Sequence, residues 1–217
     1  MKRPVFLVTG LGEGTGGAAA RRFAKGGYRV AMLARSKDRL EKFESELPES
    51  KGDPCDVADL ENLVATIDQV KSEMGAPEVV LHNAVGGAWV KFLDADPTLL
   101  ETNFRINTTA LLYLARAVVP DMIAAGKGTI LVTGNTSAHR GKPHTPMFAP
   151  TKAAQRILAQ SMARDLGPKG IHVAYLTIDA AIDTPWTRPR LVPDKPDDFF
   201  AKPSALADEL FHIAHQD

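Results

Sequence analysis

The chain of 217 residues has one cysteine, Cys55. A lone thiol cannot staple the fold, and it gives no sign of an oxidising compartment. Net charge is missing too, because 26 lysines and arginines balance 26 aspartates and glutamates. Nothing chain-wide therefore favours nucleic acid or an anionic membrane as a partner. No Cys/His cluster has zinc-site spacing, so no metal is expected. Long hydrophobic runs are absent. The most apolar stretch, residues 110–120, is short and carries Arg116, so no membrane span is expected. Met1-Lys2-Arg3 looks like the start of a signal sequence, yet the apolar run behind it stops at Thr9-Gly10, too soon for a signal core. These absences leave a soluble, cytoplasmic chain as the expectation.

What is present is an ordinary globular composition, 44% hydrophobic and 24% charged, enough for one domain over residues 1–217. The run Val5-Phe6-Leu7-Val8, ended by glycines, reads as a buried strand. Residues 14–25 look helical, 28–33 strand-like, and Ser36 stands where a cap for a helix over 37–47 belongs. Residues 48–54 read as loop with room for a short strand. An amphipathic helix over 58–74 puts Leu60, Leu63, Val64, Ile67 and Val70 on one face. Strands at 78–81, 129–132 and 171–177 alternate with helices at 97–125, 148–166 and 203–215. That alternation predicts an α/β fold with a parallel sheet. Residues 184–203 hold five prolines, Pro185, Pro189, Pro193, Pro196 and Pro203. They are too long for an ordinary connection and read as a disordered loop or as a lid over a site.

The strongest local signal is Thr9-Gly10-Leu11-Gly12-Glu13-Gly14-Thr15-Gly16-Gly17, between a strand and a helix. Glycines there let backbone approach a pyrophosphate, and the helix start offers free N–H groups. Three patterns fit. Gly12, Gly14 and Gly17 match the ordinary dinucleotide fingerprint. Gly10, Gly12 and Gly14 match the loop of methyltransferases that bind S-adenosylmethionine. Thr9, Gly10, Gly14 and Gly16 match T-G-x-x-x-G-x-G. The second strand ends Leu33-Ala34-Arg35, without the acid that would hold a ribose 2′-hydroxyl. Val8 also stands where a methyltransferase would carry an acid. Arg35 offers a guanidinium to a 2′-phosphate instead, which favours NADP(H) over NAD(H).

With further landmarks in order, residues 4–184 resemble the short-chain dehydrogenase/reductase family. Thr9, Gly10, Gly14, Thr15 and Gly16 resemble its glycine loop, and Cys55-Asp56-Val57 resembles the segment whose aspartate contacts adenine. His82-Asn83-Ala84 is similar to its Asn-Asn-Ala-Gly, with His82 and Val85 as departures. Asn107 falls at its helix asparagine, residues 134–141 resemble its serine loop, and Lys152 in Thr151-Lys152-Ala153-Ala154 resembles its lysine helix. Thr184 is similar to the threonine near the nicotinamide carboxamide. The resemblance implies a Rossmann-type, doubly wound parallel sheet, mostly of seven strands, flanked by helices on both faces. It implies a small carbonyl or alcohol substrate and a homodimer or homotetramer. The chain ends at Asp217 directly after the last helix, so the final strand is expected to be absent or to lie beyond the sequence.

The resemblance implies hydride transfer assisted by a tyrosine four residues before the lysine, by a serine that orients the substrate oxygen, and by the asparagine, which supports a water leading to the lysine. Here Phe148 stands four residues before Lys152. None of the three tyrosines, Tyr28, Tyr113 and Tyr175, has that spacing. Loss of a positioned general acid costs about 10² to 10⁴ in rate, or roughly 3–5 kcal/mol of barrier. Thr136 or Ser137 fits the serine position. His139 and His144 are candidate replacement acids, since imidazole titrates near neutral pH. Asp179, at the end of the sixth strand, is expected to bond to backbone. Leu111, Leu112, Leu114 and Val118 serve either the sheet or a subunit face. Two readings follow: an atypical short-chain oxidoreductase, and a catalytically impaired NADP(H)-binding sensor or scaffold.

Overall fold

Short apolar runs bounded by glycine, proline or capping residues become all but one of the strands of one parallel sheet. The computed structural model describes residues 3–216. Met1 and Lys2 of the charged N-terminal tripeptide, and the terminal Asp217, lie outside the described residues. The strands are β1 (Val5–Thr9), β2 (Arg29–Ala34), β3 (Ser50–Pro54), β4 (Pro77–His82), β5 (Gly128–Asn135) and β6 (Ile171–Ile178), in the order β3-β2-β1-β4-β5-β6. Val5–Val8, Val30–Leu33 and Val79–Leu81 are all buried, as strands covered on both faces must be.

Helices α1 (Thr15–Lys25), α2 (Lys37–Glu46) and α8 (Pro203–Ala214) cover one face, packing Phe23, Phe43 and Leu210 on Phe6 and Met32. Helices α3 (Leu60–Met74), α5 (Ala110–Ala125) and α6 (Ala149–Leu166) cover the other, where Ile67, Leu114 and Met162 join the core of Leu7 and Val80. Ser36 caps α2 by accepting from the Arg39 amide at 3.3 Å, and Asp59 caps α3 by accepting from the Asn62 amide at 3.1 Å.

The differences from expectation are local. The described residues form six strands rather than seven in the main sheet, with β3 and β6 as its edges. Residues 97–125 are helical throughout, but as α4 (Pro97–Phe104), a π-turn over Arg105–Thr109, and α5. Taken as one helix, this run of 29 residues contains a stretch long and apolar enough to cross a membrane. Its Leu111, Leu114 and Val118 are instead packed into the core against the sheet, while Leu112 faces outward at 40% exposed. Residues 184–203 carry their own order: α7 (Thr187–Leu191) and β8 (Phe200–Ala201), which pairs with β7 (Ala181–Ile182). Arg188 ties the segment down, gripping Asp183 at 2.6 and 3.0 Å and Asp197 at 2.7 Å.

Candidate active site

The strand order reverses between β1 and β4, which opens a crevice beyond their carboxyl ends. The glycine loop lies in it. Gly10 has φ +72°, and a Cβ there would stand 2.5 Å from the Ala84 backbone. A Cβ at Gly16 would meet the Gly10 carbonyl at 2.7 Å, and one at Gly17 would strike Phe43. A Cβ at Gly14 would press on Thr184 Cγ2 at 3.1 Å, so Thr184 sits over the loop. Gly12 alone of these has nothing within 4 Å of a would-be Cβ; it faces open cleft. Asn83 clamps the loop, donating from Nδ2 to the Gly10 carbonyl at 2.9 Å and accepting from the Thr133 hydroxyl at 3.1 Å. Thr9 is buried, and its hydroxyl is bonded to His82 Nδ1 at 3.1 Å.

A cleft of about 650 Å³ runs from this loop past Arg35, Arg39, Asp56, Val57 and Asn83. Arg35 and Arg39 are exposed and have no carboxylate partner among the described residues. Arg39, which the sequence reading passed over, lies on α2 one turn beyond Arg35 and reaches the Leu11 carbonyl at 3.5 Å. Asp56 uses one oxygen to accept from the Ala58 amide at 3.0 Å. At the start of α1, the buried Thr15 hydroxyl has no hydrogen-bond partner. An unsatisfied buried hydroxyl beside free helix amides is suited to an oxyanion. The open space at Gly12, the orphaned Thr15 hydroxyl and the two guanidinium groups together fit the phosphate groups of a dinucleotide.

Deeper in the crevice, Lys152 is buried, with Nζ donating to the Thr133 carbonyl at 2.9 Å and to Gln155 Oε1 at 2.5 Å. Burial pushes its amine down to about 7. Gln155 Nε2 donates to the Asn107 carbonyl at 2.6 Å. Gln155 thus links the lysine to the asparagine directly, where the family resemblance implied a water. Spacing could have found it, since residues three apart share a helix face. Asn107 lies on the π-turn; its side chain exchanges bonds with Gly86 at 2.8 and 2.9 Å and donates to the Thr151 hydroxyl at 2.8 Å.

Phe148 is buried, and its ring lies 5.3 Å from that of Trp89. Both border a second cleft, of about 460 Å³, together with Thr136, Ser137, His144, Asp179 and Phe199. Thr136 does not point free into this cleft: its hydroxyl donates to Asp179 Oδ1 at 2.9 Å. That bond corrects the expectation for Asp179, which holds a side chain rather than backbone. His144 borders the cleft, whereas His139 borders a separate hollow behind the serine loop. Tyr175 packs its ring against Gly134 and donates to the Lys152 carbonyl at 3.4 Å. Burial holds its phenol up, at about 12.

Residues 4–191 match the family model described as short chain dehydrogenase. An oxidoreductase named asL5 from Sarocladium schorii is 30% identical over 172 residues, spanning 79% of this chain and 69% of that protein. A D-erythrulose reductase from Gallus gallus is 32% identical over 168 residues, 77% of this chain and 67% of that one. An alcohol dehydrogenase from the archaeon Thermococcus sibiricus, complexed with 5-hydroxy-NADP, superposes with a TM-score of 0.86 at 26% identity, covering 99% of this chain and 91% of its own.

Proposed function

The chain belongs to the short-chain dehydrogenase family, and from that premise we propose that it binds NADP(H) in preference to NAD(H) and moves hydride between the nicotinamide and a carbonyl or alcohol carbon of a small molecule. The observation that carries this reading is the cleft at the glycine loop, with Gly10 and Gly12 at one end and the unpaired Arg35 and Arg39 at the other, and the orphaned Thr15 hydroxyl at the start of the helix that follows the loop. Gly12, Gly14, Thr15 and Gly16 would hold the pyrophosphate. Arg35, with Arg39 beside it, would hold a 2′-phosphate. The second oxygen of Asp56 and the wall formed by Val57 would meet the adenine. Asn83 and Ala84 keep the Gly10 turn in place, and Thr184 closes over it. When bound, the nicotinamide supplies the hydride acceptor or donor.

In its charged form Lys152 has three N–H donors, and Thr133 and Gln155 take two of them. The third would hold the ribose hydroxyls of the cofactor. Asn107 keeps the lysine in place through Gln155. Ser137 would orient a substrate oxygen, since the Thr136 hydroxyl proton is already given to Asp179. Phe148 can neither give nor take a proton, so reduction of simple ketones is slow.

The NADP(H)-binding sensor remains a second reading, favoured by one observation. The Gln155 amide spans the gap between Lys152 and Asn107, and an amide is a poor proton relay.

Calorimetric titration with NADPH and NADH tests the proposal. NADPH is expected to bind at least tenfold tighter, and Arg35→Ala to remove about ten- to a hundredfold of NADPH affinity while sparing NADH. Equal binding of both cofactors would refute the preference, and absence of binding would refute the cofactor reading.

A further inference from the structure

The second cleft has a chemical character that a neutral carbonyl does not call for. Three aromatic side chains border it: Trp89, 54% exposed; Phe199, 44% exposed; and Phe148 behind Trp89. Aromatic faces carry negative potential and draw cations. The Phe199 ring already draws the Lys195 ammonium to 5.2 Å from its centroid. The same cleft contains Asp179, fixed through one oxygen by Thr136, with the other oxygen left over. Lys142 and His144 also border the cleft, both exposed to water and neither in an ion pair with Asp179.

Reduction of a C=O group builds negative charge on oxygen, and that oxygen needs a proton. No proton donor stands at Phe148, and the Asp179 carboxylate opposes the developing charge. A C=N⁺ group behaves in the opposite way. Hydride joins the carbon, the C=N π pair becomes the nitrogen lone pair, and the cation ends as a neutral amine. No proton is exchanged, so no acid is required.

We propose that this cleft takes a cationic C=N compound, a small cyclic iminium, with Asp179 as counter-ion and Trp89 and Phe199 as π faces. The proposal rests on the nicotinamide-dependent reading above, which names reduced nicotinamide as the hydride source. It explains two features together, the phenylalanine in place of an acid and the carboxylate in the substrate cleft.

The test uses the full chain with N-methyl-dihydroisoquinolinium as substrate and tetralone as a neutral ketone of similar shape. Turnover of the iminium, corrected for uncatalysed reduction, is expected to exceed that of the ketone by about 10²-fold, the lower end of what a missing acid costs. Binding is read separately, by calorimetry with the unreactive N,N-dimethyl-tetrahydroisoquinolinium and the NADP⁺-loaded protein. Asp179→Asn and Trp89→Ala, both at exposed positions, are each expected to weaken that binding by about tenfold, with NADPH affinity unchanged. If NADPH binds but the cation neither binds nor is reduced faster than the ketone, this inference is overturned and the cofactor reading stands. If NADPH itself does not bind, both fall.

Discussion

At the scale of single residues, a buried imidazole joins the glycine loop to the helix that carries Asn107. The Ile106 carbonyl, 3.2 Å from His82 Nε2, can only accept, so Nε2 carries the proton. His82 Nδ1 then accepts from the Thr9 hydroxyl at 3.1 Å. Burial, and secondly the charge of Lys152, hold His82 down from 6.5 to about 4. The unfolded chain takes up this proton near pH 6.5, whereas the folded chain resists until near 4. Between those values the unfolded state binds more protons, so stability falls as pH falls. At about 1.4 kcal/mol per pH unit, the loss between pH 6.5 and 5 is about 2 kcal/mol. His82→Asn removes the titrating group. Urea unfolding at pH 7 and 5 should show the original chain losing about 2 kcal/mol more than this variant. Parallel losses would contradict the assignment. Phe148 offers a second residue-scale test. Phe148→Tyr places a phenol four residues before Lys152 and should raise simple-ketone reduction by about 10²-fold or more, measured as kcat/KM. An unchanged rate with NADPH still bound would mean that the missing acid is not what limits ketone turnover.

At the scale of elements, the glycines of one loop divide into two kinds of work. Gly10 adopts φ +72° against the Ala84 backbone, so Gly10→Ala meets a left-handed penalty of roughly 1–2 kcal/mol before any clash. Thermal unfolding should show a large loss of stability. Gly12→Ala has free space and should leave stability within about 0.5 kcal/mol, yet its methyl group enters the cleft and should weaken NADPH binding. If the two variants lost stability equally, the packing argument for Gly10 would fail. Of the three patterns that fit this loop, T-G-x-x-x-G-x-G captures the close contacts of Gly10 and Gly16 and the cover of Thr184 on Gly14, but not the packing of Gly17 on Phe43.

The same scale explains what was legible in the sequence. Apolar runs and the cap at Ser36 are local signals, and strands β1, β2 and β4 and helices α1 to α3 follow them to within a residue or two; the cap at Asp59 emerges only in the structure. Strand β3 reads Ser-Lys-Gly-Asp-Pro, which has no strand propensity; its extended form comes from pairing along β2 at Val30–Ala34. The π-turn at Arg105–Thr109 leaves no mark in periodicity, although it presents Asn107 to Gly86 and Thr151. Gln155 looks like a surface glutamine until α6 buries it against Asn107.

At the scale of the whole molecule, helices α5 and α6 turn their inner faces to the sheet and leave an outer face that no described residue covers. Leu112 and Tyr113 are each 40% exposed and Ile157 is 50% exposed, on neighbouring helices over the same sheet face. Single exposed apolar residues need no explanation, but several on helices over one sheet face cost solubility if they form a patch that is left uncovered. A two-fold axis can cover it economically, because each copy offers the same surface to the other. If the chain forms the homodimer or homotetramer implied by the family resemblance, Leu112 is free to take part in the contact, whereas Leu111, Leu114 and Val118 are spent on the core. Charges there would be desolvated on association, so Leu112→Glu with Ile157→Glu should convert the assembly to monomers while leaving the fold intact, because both side chains point outward. Light scattering after size exclusion reads the mass, and circular dichroism checks the fold. If the original chain is itself monomeric at micromolar concentration, the outer face is not a subunit contact. In a folded monomeric variant, unchanged NADPH affinity is expected, because Arg35, Gly12 and Thr15 lie on the crevice at the carboxyl end of the sheet, away from these helix faces.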